Sequence, residues 1–304
     1  MKQPIIVTAF WDVGRSENCQ FPRSNEKYYR EFAEWARIKN TLIVYTDENS
    51  EKEIKKIRAE YGLSEKTIVI VLKDFWNIEK KAYQKMCKIE NDRDFIDFRY
   101  RPEAMENRAN FVYAWYMKYW CLADAVKYTA KDDVFAWFDF GFNHINVCYT
   151  NMKEFDFIWK LNRNVDKIQV FSLVNTESIS SLSTLQFMED SIMGVFHIVP
   201  VKCAVEFWNT IREAMEALLT LGCIDDDQEL ILIASKNYPE LIEVNVCRQW
   251  YLPLKEWGAS HLSTREIEID HSIKHKIWKW RYLKNHRDDY IKKTTERLNK
   301  NIRM

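Results

Sequence analysis

The chain is poor in the residues that break regular structure. Among 304 residues there are six glycines and six prolines, which excludes low-complexity disorder and argues against a loop-rich β-sandwich. No pair of its seven cysteines (19, 87, 121, 148, 203, 223 and 247) has C-x-x-C spacing. An odd, scattered set inside apolar segments reads as reduced thiols of a cytosolic protein, not a disulfide frame or zinc site. Net charge is zero, so nothing in the whole-chain balance points to a polyanion, and nucleic acid is not an expected partner. No apolar run approaches the roughly 18 residues of a membrane span. The run at residues 4–10 is too short for a signal-peptide core. No G-x-G-x-x-G follows the first apolar run and no G-x-x-x-x-G-K-[ST] occurs, so a dinucleotide fingerprint and a P-loop are both excluded.

What is present is apolar and aromatic. Apolar residues make up 47% of the chain, aromatics 14%, with 12 tryptophans, enough for the core of one large α/β domain. Residues 5–10, 41–45 and 67–72 read as β-branched strands. Between them, residues 24–39 and 50–61 read as helices. Ser24 suits the first N-cap, Ser50 with Glu53 forms a capping-box pattern, and Gly62 suits the second C-cap. Strand, helix, strand, helix, strand is one half of a nucleotide-binding-type fold. Residues 74–101 have no clean period and read as helix plus loop. Pro102 suits the first turn of a long helix with Val112, Trp115, Tyr116, Tyr119, Leu122 and Val126 as its buried stripe. A near-continuous apolar run, 134–138, then ends on Asp139. With the usual strand order 3-2-1-4, that strand lies beside the first, and residues 10–14 meet Asp139 at the switch point where such sheets bind ligands.

The second half alternates again. Residues 167–174, 194–201 and 241–246 read as strands, 204–222 and 225–236 as helices, and 175–184 as a Ser/Thr-rich loop. The expected architecture is a single α/β domain over 1–270, with a central mostly parallel sheet flanked by helices. Its halves are 1–142, nucleotide-facing, and 143–270, acceptor-facing. Residues 271–304 carry 11 Lys and Arg against three Asp and Glu, interleaved with aromatics. That tail reads as a helix docked on the domain or laid on an anionic membrane surface.

Three motifs occur in order: Ile6-Val7-Thr8-Ala9-Phe10-Trp11-Asp12-Val13-Gly14-Arg15, Ala136-Trp137-Phe138-Asp139-Phe140-Gly141-Phe142, and Asp225-Asp226-Asp227-Gln228 followed by a Tyr-Pro-Glu turn and Trp250-Tyr251. Together they resemble the HtrL/YibB family of bacterial proteins over about residues 4–255. That family is similar to glycosyltransferases of the GT-A (Rossmann-like) fold and sits among surface-polysaccharide and lipopolysaccharide functions. The resemblance therefore implies sugar transfer from a nucleotide-diphosphate sugar to a cell-surface glycan or lipid-linked acceptor, in the cytoplasm or at the inner face of the membrane.

The implied site follows. Thr8, Ala9, Phe10 and Asp12 would approach the nucleoside and Arg15 the phosphates, with Arg108, Asn110 and Gly194 as further donor contacts. A departing diphosphate needs positive charge, usually a divalent metal such as manganese or magnesium on hard oxygen ligands. The GT-A pattern supplies Asp-x-Asp; this chain has Asp139 alone, so His261 or His271 would complete the ligands. Alternatively Arg15 and other cationic side chains neutralise the diphosphate. Asp226 or Asp227 would be the general base, although capping alone accounts for one or two acids at a helix start. Gln228, Trp250 and Tyr251 would bind acceptor. His197, in an apolar strand, reads as a satisfied core histidine. The competing readings are a non-catalytic nucleotide- or glycan-binding protein on a degenerate scaffold, and a hydrolase.

Overall fold

The computed structural model of the chain describes residues 2–17 and 22–265, and contacts gather residues 1–265 into one compact unit. The basic stretch 271–304, His271 included, lies outside the described residues.

β1 (Ile5–Phe10) opens the fold. Ser24 caps α1 (Asn25–Trp35), its hydroxyl accepting from the Lys27 N–H. The helix stops at Trp35, short of residue 39, because the buried Arg58 guanidinium takes the carbonyls of Ala36, Ile38 and Asn40. An outside donor thus satisfies the carbonyls that a longer helix would have used. β2 (Leu42–Thr46) follows. α2 (Glu48–Glu60) is capped by Asp47 and not by Ser50: an Asp47 oxygen accepts from the Ser50 N–H at 2.8 Å. A carboxylate at a helix N-terminus adds a favourable charge to the cap, which the hydroxyl three residues on lacks.

β3 (Thr67–Val71) completes the βαβαβ half. α3 (Lys80–Ile89) and α4 (Arg93–Phe98) fill the aperiodic stretch. α5 (Ala109–Ala125) begins well after Pro102. The Asn107 amide donates to the carbonyls of Arg101 and Pro102, holding that segment in an irregular turn instead of a first helical turn. β4 (Val134–Phe138) is wholly buried. Then come β5 (Ile168–Ser172), α6 (Ser181–Phe187), β6 (Phe196–Pro200), α7 (Ala204–Thr220), α8 (Asp227–Asn237), β7 (Ile242–Val246) and the short α9 (Pro253–Glu256). α6 stands within the segment whose Ser/Thr content suggests loop.

The sheet order is β3-β2-β1-β4-β6-β5-β7. β3, β2, β1 and β4 are mutually parallel, β6 runs against both β4 and β5, and β7 is parallel to β5. The 3-2-1-4 order inferred from the sequence is present, and one reversed strand makes the sheet mixed. One sheet face packs under α5, α7 and α8; the other buries Phe10, Phe138 and Phe196 with α1 and residues 140–161. The six described cysteines are free thiols. No helix among the described residues is long and apolar enough to cross a membrane.

Candidate active site

The chain leaves β1 in one direction, to β2, and reaches β4 on the other side. A cleft of about 240 Å³ opens there, at the carboxyl ends of both strands, which is where an open α/β sheet binds ligands. Ala9, Phe10 and Trp11 line it from β1, and Asp139, Phe140 and Gly141 from β4. α5 contributes Trp115 and Lys118, and α1 contributes Tyr28. Arg15, Arg23, His144 and Tyr251 close the rim.

Lys118 organises this site. Its ammonium lies 2.7 Å from Asp139 Oδ1 and 2.7 Å from Asp227 Oδ2, and donates to the Gly194 carbonyl at 3.2 Å. Burial alone would lower the Lys118 pKa; the two carboxylates outweigh it and raise it, so the ammonium stays charged. Trp137 Nε1–H donates to the same Asp139 oxygen at 2.8 Å. Asp227 is buried, and its pKa is raised by that burial although Lys118 opposes the shift. Gly194 is needed here by steric fit. A Cβ at that position would lie 2.2 Å from Asp227 Oδ2.

The rest of the acidic run is divided. Asp225 forms a buried two-pronged ion pair with Arg99, at 2.8 and 2.9 Å. Asp226 is the N-cap of α8, accepting from the Gln228 N–H at 3.0 Å. Burial and then the neighbouring carboxylates raise its pKa well above the usual range. It opens on a separate small recess shared with Glu106, Asp190 and Gln228. Of the three aspartates, Asp227 is the one joined to the cleft, through Lys118.

The other residues named from the sequence fall as follows. Ala9, Phe10, Asp12, Arg15, Asp139 and Tyr251 line the cleft. Asp12 accepts from the Gly14 N–H and the Asn25 amide, so both its oxygens are engaged. Burial lowers the Arg15 pKa, and its guanidinium lies over the Phe111 ring. Thr8 is wholly buried in β1. Arg108 is exposed just before α5, and Asn110 donates to the Val13 carbonyl. Gln228 accepts from the Ser191 N–H. Trp250 packs against the apolar core on the α1 side of the sheet and is not among the residues that line the cleft. His261 bonds the Glu154 carbonyl and lines a different surface hollow with Phe157 and Gly258. His197 is fully buried, but neither ring nitrogen has a partner among the described residues; it is a core histidine and an unsatisfied one.

The structure adds residues that pattern reading passes over: Lys118, Arg23, Tyr28 and His144. Lys118 is the one cation in α5, whose sequence is otherwise apolar or aromatic apart from Asn110 and Asp124, and that isolation is a signal. Tyr251 O–H lies 2.6 Å from His144 Nδ1. Burial raises the tyrosine pKa and lowers that of His144 to about 4. Tyr251 therefore donates, Nδ1 accepts, and the histidine proton sits on Nε2. Tyr251 has φ 70°, a left-handed conformation costly for a tyrosine.

A divalent ion needs several hard ligands converging on one point. No group of three His, Cys, Asp or Glu among the described residues is arranged to hold one. Lys118 occupies the place between Asp139 and Asp227 where a cation would sit. The described residues therefore do not fit a metal centre.

Comparison with known proteins places the chain by sequence. Residues 2–255 match the family described as "Bacterial protein of unknown function (HtrL_YibB)". No curated protein matches. Matches among solved structures include the crystal structure of mouse xyloside xylosyltransferase 1, apo form, at 10% identity and a TM-score of 0.39, covering 79% of this chain and 84% of that one.

Proposed function

Taking as premise that the chain belongs to the HtrL/YibB family, we propose that it is a glycosyltransferase moving a sugar from a nucleotide-diphosphate sugar to a glycan or lipid-linked acceptor. The observation that carries this reading is Lys118, held between Asp139 and Asp227 in the wall of a cleft at the switch point. A diphosphate leaving group needs cations and fixed donors. The cleft offers Arg15 and Arg23, with His144 Nε2–H as an uncharged donor; the three N–H groups of Lys118 are already given to Asp139, Asp227 and the Gly194 carbonyl, so Lys118 holds the site in shape.

In the transfer, the bond from the anomeric carbon to the diphosphate oxygen breaks and the acceptor oxygen bonds to that carbon. The acceptor proton passes to a carboxylate. Of the two cleft carboxylates, Asp12 has both oxygens engaged, which leaves Asp139, a quarter exposed at its side chain (26%); Asp227 acts through Lys118, keeping it charged and in place. No step is routed through a metal. The basic tail, 271–304, would bring the enzyme to an anionic membrane face on the cytoplasmic side, and vesicle co-sedimentation of the full chain against a chain lacking it tests that.

The direct test is thermal shift against UDP, GDP, CDP and ADP, with manganese or with EDTA. A ligand that binds only the folded state raises the melting temperature by mass action. Stabilisation by one nucleotide, unchanged by EDTA and lost in Lys118→Met, is the expected result. Stabilisation that needs manganese would overturn the metal-free part of the reading. One observation favours a second reading, a nucleotide-binding protein without chemistry. Asp12 and Asp139, the two acids of the cleft, are both already engaged. Turnover of the matching nucleotide sugar separates the two.

A further inference from the structure

Glu31 on α1 has no role in the scheme above, and its setting is costly. The residue is 5% exposed, and neither carboxylate oxygen has a hydrogen-bond partner among the described residues. Burial raises its pKa, opposed by Arg23, Lys27, Arg30 and Arg15. A buried polar group left unpaired is destabilising, more so if charged, so a carboxylate kept this way has a use elsewhere or a missing partner.

Its position names the missing partner. The carboxylate lies where the side chain of residue 141 would be. A Cβ on Gly141 would come 2.8 Å from Glu31 Oε2 and 3.3 Å from the Tyr28 ring. Gly141 and Tyr28 both line the cleft; Glu31 is not in the lining itself and stands directly behind these two. The absence of a side chain directly after Asp139-Phe140 is what lets Glu31 stand there. Gly141 does not have positive φ, so the glycine is explained by this space and not by its backbone.

We propose that Glu31 is a ligand-reading residue whose two free oxygens accept from a pair of adjacent hydroxyls on the nucleotide sugar bound in the cleft. The inference rests on the nucleotide-sugar reading of that cleft. A carboxylate with both oxygens free matches a vicinal diol, each hydroxyl donating one charge-assisted bond. Two parts of such a ligand carry that diol, the ribose and the transferred sugar. Glu31 binds and orients; it is assigned no bond-making step.

The test is calorimetric titration of the full chain with UDP, 2′-deoxy-UDP, UDP-glucose and UDP-N-acetylglucosamine, and the guanosine, cytidine and adenosine counterparts, on wild type, Glu31→Gln and Gly141→Ala. The alanine displaces the carboxylate without removing it, and serves if the glutamine variant fails to fold. The expected result is a loss of about tenfold or more in affinity in both variants, since every 1.4 kcal/mol is tenfold. Melting temperature in Glu31→Gln should be unchanged or higher. A loss for UDP that is absent for 2′-deoxy-UDP assigns the ribose; a loss confined to the sugar-bearing ligands assigns the sugar. Variants that bind every probe as wild type does overturn the inference and leave the nucleotide reading standing. Wild type binding none of the probes overturns the nucleotide reading and takes the inference with it.

Discussion

At the scale of single residues, the molecule turns on a cation that is worth little alone. Lys118 is almost wholly buried, and removing it strands two carboxylates in a low-dielectric wall. Lys118→Met is expected to destabilise by about 3–5 kcal/mol, the cost of breaking a buried pair from one side. Lys118→Met with Asp227→Asn should recover part of that loss, and urea denaturation of the four proteins of the cycle measures the coupling. His197 predicts the opposite sign. Burial lowers its pKa to about 3, and both nitrogens are unpaired among the described residues. His197→Leu is expected to hold or raise stability at pH 7. His197 and His144 both have folded pKa values below the unfolded value near 6.5. Their contribution is therefore complete above about pH 6.5 and lost as pH falls towards 4. The acid side of the stability curve should be shallower in His197→Leu.

Among the elements, α8 and α5 meet at the site and carry its strain. The first turn of α8 buries Asp227 and Glu229. Burial raises Glu229 to about 8, against a bond from Thr184. A carboxyl raised in the folded state stabilises below its unfolded pKa, near 4.3, and loses that contribution as pH rises towards 8. Unfolding free energy should fall over that window, by at most about 1.4 kcal/mol per pH unit per proton, and Glu229→Gln should remove the slope. Gly194→Ala drives a methyl into Asp227, whose short side chain is pinned by Lys118. It should cost about 1–3 kcal/mol and abolish nucleotide stabilisation in the thermal-shift panel.

These elements also show what a sequence discloses. β1, β2 and β4 are continuous β-branched or aromatic runs, and burial on both faces leaves no other reading. The switch point follows from their order. α5 was harder, because Pro102 is a good helix starter, and the Asn107 amide that overrules it cannot be read from spacing. The division of Asp225, Asp226 and Asp227 is equally hidden. Three adjacent acids look alike until Arg99 and Lys118, each more than a hundred residues away in sequence, claim one each.

At the scale of the whole molecule, one sheet joins two unequal halves. The parallel half supplies the cleft floor through β1 and β4. Beyond β4 the sheet continues with the antiparallel β6, whose strand start, not its end, lies beside Asp139: the Asp139 N–H bonds the Val195 carbonyl at 3.0 Å. The half of the chain after β4 therefore reaches the cleft through the loop entering β6, as well as through His144 and Tyr251. Changes in residues 188–193 should alter acceptor use while leaving nucleotide affinity intact, which kcat/KM for acceptor against calorimetric binding of the nucleotide would separate.

The ion pair between α5 and α8 also has a history within each molecule. Lys118 leaves the ribosome with Asp139 soon after it, but Asp227 follows 109 residues later. At roughly 5–20 residues per second, synthesis leaves the lysine with half its partners for several seconds. A nascent chain halted before α8 would hold the strands of the cleft and lack the second carboxylate. Ligand capture should thus appear late and abruptly as arrested chains are lengthened, once Asp227 and then Tyr251 have arrived.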